Sequence, residues 1–189
     1  MVAVEIYIEM HQYPYATVSQ IQVPNPVWWE LERRLALVFL GKTHHSSQVH
    51  EMVINALEQH GPDNPKLKAL RRTAVLSRDA LYSADFRALG QAMIANTEAQ
   101  VQLHPALISQ DAQRVIEIAR AHGAIGWKVN GAGGEGGSLT ILCDERSQAR
   151  RAMLAAIEQE NPAYRHIPIY LSRQGLRVWQ SRPARTGLP

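Results

Sequence analysis

The sequence predicts an α+β fold: a mostly antiparallel sheet with helices packed on one face, preceded by a β-hairpin. Three observations lead there. From Leu35 onward the pattern runs strand, four helices, strand, glycine loop, strand, helix, strand, strand, an order that builds a sheet with helices segregated to one side. Before Leu35, two short segments alternate with period two, the signature of a half-buried hairpin. The chain has 189 residues, 46% hydrophobic and 20% charged, enough for a sizeable single core.

In the first segment, Val2–Met10, the residues Val2, Val4, Ile6 and Ile8 fall on one face. Tyr13-Pro14-Tyr15 breaks it, and Ala16–Val23 alternates again until Pro24-Asn25-Pro26. Trp28 and Trp29 precede the charged stretch Glu30–Arg34 and read as aromatic packing against a core rather than as a stacking platform. Leu35–Leu40 is a wholly apolar run, a buried strand. A polar loop, Gly41–Ser47, leads into an amphipathic helix with Val49, Met52, Val53, Ala56 and Leu57 on its apolar stripe and Ser46 or Ser47 as N-cap. Such an arrangement aims helix N–H groups at whatever lies above the loop. His44, His45 and His50 lack a carboxylate or cysteine at metal-ligand spacing and read as a solvated loop, with no metal expected.

Pro65, after Asn64, opens the next helix, with Leu70, Ala74, Ser77 and Leu81 as its expected buried stripe. Ser83 is the expected cap of a helix bearing Phe86, Leu89 and Met93 that ends at Leu103-His104-Pro105. Ser109 caps Asp111–Ala121, and Gly123 follows as its C′ residue. Asp144 is the expected cap of Glu145–Gln159, with Ala149, Met153 and Ile157 facing inward. Ile167, Ile169 and Leu171 alternate, and Leu176–Trp179 is read as the returning strand of a terminal hairpin. Residues 181–189 read as a disordered tail.

Between Ile125–Asn130 and Leu139–Cys143, both strand-like, lies Gly131–Gly137, in which five of seven residues are glycine against 12 in the whole chain. Glycine at that density lets main-chain N–H groups approach a ligand closely and form an anion-binding concavity. A plain hairpin turn needs only two to five residues, so a phosphate site is preferred. It is not a Walker loop, because no Gly-Lys-Ser/Thr follows. Lys128 stands just before it as a source of positive charge. The loop is expected to be sensitive for function and tolerant for folding.

The run Lys-Val-Asn-Gly-Ala-Gly-Gly-Glu-Gly-Gly (Lys128–Gly137) resembles the third, C-terminal motif of the GHMP kinase superfamily, Lys-x-x-Gly-Ala-Gly-Gly-Gly-Gly, with Glu135 where the family has a glycine. The Leu103-His104-Pro105 helix end and the Thr43-x-x-Ser46-Ser47 loop are similar to those of heptose-phosphate and related sugar kinases. The resemblance implies the ferredoxin-like C-terminal domain of these kinases over residues 30–180, with residues 1–29 similar to the last strands of their N-terminal domain. It further implies supporting roles near phosphate or substrate for Lys128, Gly131, Ala132, Gly133, Gly134, Glu135, Gly136 and Gly137, and a second loop near nucleotide or sugar at Thr43, Ser46 and Ser47. ATP and Mg2+ are the implied cofactors of the complete enzyme.

The family's Pro-x-x-x-Gly-Leu-Gly-Ser-Ser phosphate loop does not occur in these residues, nor does its catalytic aspartate. No catalytic base is therefore assigned, and the isolated chain is expected to be inactive. The implied partners are an N-terminal kinase half, or a second copy through Met1–Trp29, and a sugar or sugar phosphate. The alternative is a stand-alone binding or regulatory module that kept the fold without the chemistry.

Net charge is +3 with a pI near 9.2 and no basic run. That suits anionic small molecules. Without aromatic–basic interleaving, nucleic acid is not an expected partner. No apolar run approaches the roughly 18–20 residues of a membrane span, no signal-peptide pattern is present, and a cytoplasmic location is expected. The single cysteine, Cys143, is expected to be a small buried hydrophobe.

Overall fold

A computed structural model describes residues 6–42, 46–57, 63–131, 133–173 and 180. Its elements are β1 (Ile6–Gln12), β2 (Tyr15–Gln20), α1 (Asn25–Arg34), β3 (Leu35–Phe39), α2 (Ser46–Leu57), α3 (Pro65–Tyr82), α4 (Phe86–Leu103), a 3-10 turn (Pro105–Leu107), α5 (Gln110–Ala121), β4 (Gly126–Val129), β5 (Ser138–Leu142), α6 (Ser147–Glu160) and β6 (Arg165–Ile167). Four strands form one sheet in the order β4-β5-β3-β6, every neighbouring pair antiparallel, and β1 and β2 form a separate antiparallel hairpin. The α+β class read from the sequence is the one observed.

Strand alternation divides the sheet into two faces. Ala36, Val38, Trp127, Val129, Leu139 and Ile141 point into the main core, where Val115 and Ala119 of α5 and Met153 and Ile157 of α6 meet them. On the opposite face Leu37 stands across from Thr140 and Ile167, and Lys128 across from Thr140, so these four share a surface. Helix α4 runs along the outer edge of β4. Thr97 donates to Trp127 O (3.2 Å), which satisfies an edge carbonyl that would otherwise be open to pairing. The approach is close enough that a Cβ on Gly90 would lie 2.1 Å from Ile125 O.

A second core joins the hairpin side to the helices. Ile21, Val23, Trp28 and Leu31 pack with Leu81, Leu89 and Met93, and with Leu142 from the far face of the sheet. The expectation for the start of the chain needs correcting here. Pro24-Asn25-Pro26 does not merely end a strand: it opens α1, with proline in the first turn, where its missing N–H is no loss. The tryptophan pair splits, Trp28 into the core beneath Arg173 (4.8 Å from the guanidinium to the ring centroid) and Trp29 into solvent. Helix α1 runs across residues 29 and 30, where the sequence placed a boundary. At its end Arg34 is buried, donating to Glu30 (2.6 Å) and Glu145 (2.9 Å) and lying 4.5 Å over the Phe86 ring.

The strands of the hairpin are exposed on both faces, with Tyr7 alone half-buried. Ile8 faces Val18 and Met10 faces Ala16, so the apolar side chains share one face, yet Ile6, Ile8, Met10 and Val18 are all exposed. Tyr7, on the alternate face, lies 4.6 Å from the Arg78 guanidinium of α3. Val2 and Val4 lie outside the described residues.

Ser109 caps α5 as expected, accepting from Ala112 N (3.1 Å), and Asn64, just before the expected Pro65, caps α3 by accepting from Lys66 N (2.9 Å). Two other caps differ. Asp85, not Ser83, caps α4 by accepting from Ala88 N (2.9 Å); the Ser83 hydroxyl instead donates back to Asp79 O (2.6 Å), closing α3. Helix α6 starts at Ser147 rather than Glu145, and Asp144 accepts from Glu145 N (2.8 Å) ahead of it. On α3 the buried residues are Thr73, Ala80 and Leu81, while Ala74 is exposed: the stripe is rotated because α4 covers the side that carries Thr73. Among the described residues of the terminal segment only Arg165–Ile167 is a strand; Leu176–Trp179 and residues 181–189 lie outside the described residues. No helix among the described residues is long and apolar enough to cross a membrane.

Candidate phosphate-binding site

The glycine loop leaves β4 at Asn130 and enters β5 at Ser138, and three other parts of the chain close on it. Helix α4 reaches its first residue, with Gln100 Nε2 donating to Gly131 O (3.1 Å). The 3-10 turn lies against its middle: a Cβ on Gly133 would sit 1.7 Å from Leu107 O. The segment after β3 lies against its end, with Gly137 N donating to Lys42 O (2.9 Å) and Leu40 N to Gly137 O (3.0 Å). A Cβ on Gly136 would sit 2.3 Å from the same Lys42 carbonyl. Gly131, Gly133, Gly134, Gly136 and Gly137 all have positive φ, from 60° to 124°. At Gly133 both requirements coincide, a left-handed backbone and no room for a side chain. Gly133, Gly134 and Gly136 are buried, whereas Gly131 and Glu135 are exposed. Ala132 lies outside the described residues.

The neighbouring strands supply a polar rim. Asn130 donates to Ser138 Oγ (3.1 Å), and Thr140 Oγ1 donates to Asn130 Oδ1 (3.0 Å). Lys128 shares this face of the sheet through its pairing with Thr140. Its ammonium donates to Val129 O (3.0 Å), and burial lowers its pKa from the ordinary lysine value. A desolvated ammonium held by one main-chain carbonyl retains capacity for an anion. Among the described residues, no group of three His, Cys, Asp or Glu side chains converges where a cation would be held.

The main-chain bonds to Lys42 bring the β3–α2 segment to the end of the glycine loop, and Ser46 opens α2 four residues later. Thr43 lies outside the described residues, as do the side chains of Ser46 and Ser47. His104 serves the helix end: it is the C-cap of α4, and its Nδ1 accepts from Ala106 N (3.2 Å), setting the 3-10 turn that presses on Gly133. Gln100, Leu107 and Lys42 were not legible as site residues. Leu107 and Lys42 act through main-chain carbonyls, which no side-chain pattern reveals. Gln100 did leave a signal, a polar residue on the stripe Met93, Thr97, Gln100, Leu103 that faces inward.

Residues 77–161, from the second half of α3 through the glycine loop to the end of α6, match the family model described as GHMP kinases C terminal. That stretch, just under half of the chain, is similar to the C-terminal domain of the GHMP kinases. Among curated proteins it is 21% identical over 174 residues to the D-glycero-alpha-D-manno-heptose 7-phosphate kinase of Campylobacter jejuni, a match covering 92% of this chain and 50% of the relative. It is 29% identical over 127 residues to the bifunctional fucokinase/GDP-fucose pyrophosphorylase of Arabidopsis thaliana, covering 66% of this chain and 12% of that protein. Among solved structures, the L. major mevalonate kinase in complex with R-mevalonate superposes with a TM-score of 0.63 at 23% identity, over 84% of this chain and 45% of the other, a likeness of fold. The chain thus spans half the length or less of the curated relatives it matches.

Proposed function

We propose that this chain supplies the C-terminal, substrate-side portion of an ATP-dependent GHMP-type sugar or sugar-phosphate kinase. The observation that carries this reading is the glycine loop, pinned at both ends and in the middle in a conformation that leaves no room for a side chain at Gly133 or Gly136. Phosphoryl transfer asks a protein mainly for positioning and charge stabilisation. The loop offers main-chain N–H groups at close range, and Lys128 beside it offers a partly desolvated positive charge. The donors present fit a phosphate group; a carboxylate cage for Mg2+ is not among the described residues, and no step is assigned to the cation. ATP, when bound, supplies the transferable phosphoryl group. The roles of this chain's residues are to hold phosphate oxygens at the loop, to balance their charge at Lys128 and to shape the floor of the site with Asn130, Ser138 and Thr140. Glu135 is exposed, so its carboxylate is not forced into the loop.

The missing chemistry comes from a polypeptide bearing the Gly-Leu-Gly-Ser-Ser loop and the aspartate base. The exposed apolar face of the hairpin, Ile6, Ile8, Met10 and Val18, supports association through the first residues, either with that polypeptide or with a second copy. The test is an ADP-release assay with ATP, Mg2+ and a panel of hexoses, heptoses and their phosphates. The chain alone should give no ADP above blank, and co-expression with such a polypeptide should give substrate-dependent turnover. Robust turnover by the chain alone overturns the half-site reading. Tight binding of an anionic metabolite without ATP, and no turnover in either format, favours a binding module instead.

A further inference from the structure

We propose that Gln100 is a positioning residue that sets the open end of the glycine loop for phosphate, an inference that rests on the phosphate-loop reading above. Gly133, Gly136 and Gly137 are held by contact with Leu107 and Lys42. Gly131 is different. It is exposed, its φ is +65°, and a Cβ built on it would meet nothing within 4 Å, so packing does not fix it. The contact that holds its carbonyl is Gln100 Nε2 at 3.1 Å.

Gln100 is itself only 9% exposed, and its Oε1 has no hydrogen-bond partner among the described residues. Turning the amide over would set Oε1 against Gly131 O, acceptor against acceptor, so the orientation is fixed by the loop. A buried, unpaired acceptor destabilises a fold, and methionine would occupy similar volume without it. For folding alone the position favours an apolar residue, as its neighbours Met93 and Leu103 on the same stripe illustrate. What glutamine adds is the grip on Gly131. A loop end held by one side-chain hydrogen bond is ordered before the anion arrives, so binding does not have to order it.

The full chain and two variants, Gln100→Met and Gln100→Glu, distinguish this role from a merely structural one. Backbone 15N relaxation at Gly131 and Gly133, melting temperature, and titration with tripolyphosphate are measured on each. In Gln100→Met the melting temperature should stay level or rise. The Gly131 order parameter should fall from the rigid range near 0.85 to below about 0.6, and that of Gly133 should stay high. Tripolyphosphate affinity should weaken roughly five-fold, the scale of one net hydrogen bond. Gln100→Glu, nearly isosteric but unable to donate when ionised, should loosen Gly131 in the same way. A Gly131 that stays rigid in both variants overturns the inference, as does a lowered melting temperature with loop dynamics unchanged. Absence of tripolyphosphate binding to the wild-type chain overturns the phosphate-loop reading itself, a result separable from the relaxation data.

Discussion

Replacing Gly133 and Gly131 by alanine should have very different consequences, although both lie in the same loop at similar positive φ. At Gly131 the new methyl meets open space, and the cost is the left-handed backbone alone, roughly 1–2 kcal/mol. At Gly133 the same backbone term is joined by a Cβ 1.7 Å from Leu107 O, about half an ordinary contact distance. Neither Leu107 O nor the loop can give way freely, because the 3-10 turn is set by His104 and the loop end by Lys42. An overlap of that size against backbone adds about 2–3 kcal/mol, within the range of overpacking costs. For a chain of this length each kcal/mol lowers the melting temperature by roughly 2–4 °C. Gly131→Ala should therefore fall by about 2–8 °C and Gly133→Ala by about 6–20 °C, with Gly133→Val worse still. Thermal unfolding followed by circular dichroism measures both. Equal, mild shifts would refute the packing argument. The expectation from sequence that the loop tolerates substitution for folding is revised at Gly133, where a Cβ has no room.

Other outcomes follow from the same geometry. Burial lowers the Lys128 pKa, so the native state binds fewer protons there than the unfolded chain between the lowered value and about 10.4; stability should rise with pH through that window. Lys128→Met should remove this rise, measured by urea unfolding at pH 7 to 10.5, and should weaken tripolyphosphate binding. Burial pushes the Cys143 thiol up to about 11, so iodoacetamide should label it at pH 8 only after denaturant is added; rapid labelling of the folded chain would contradict its buried place under α6. Arg34→Met removes a buried guanidinium that ties α1 to Glu145 and covers Phe86. With both carboxylate partners partly in water, the loss should be about 1–3 kcal/mol in a urea melt, and no change would show the cluster to be ornamental.

Residue pattern by itself determined the class of fold, the helices α2 to α5, the strands β3 to β5 and the glycine loop. Each is encoded by something local: an apolar run in β3, proline and asparagine at the start of α3, serine before α5, and five glycines between two strands. The resemblance to GHMP kinases was legible in the same residues. Three things depended on tertiary packing. The cap of α4 hinges on which of two nearby polar residues, Ser83 or Asp85, meets a free N–H, and α1 and α6 begin without a side-chain cap, so their starts are set by how the flanking chain packs. The split between Trp28 and Trp29 depends on which side of a ten-residue helix faces α3 and α4, and no periodicity was available in so short a segment. The grip on the glycine loop was hidden most completely. Its contacts come from main-chain carbonyls of Leu107 and Lys42 and from Gln100, residues that are 26 or more positions from Gly133 in sequence or have no chemical signature. Sequence specifies that a loop is free to adopt left-handed angles; only the packed neighbours decide which of those angles it keeps.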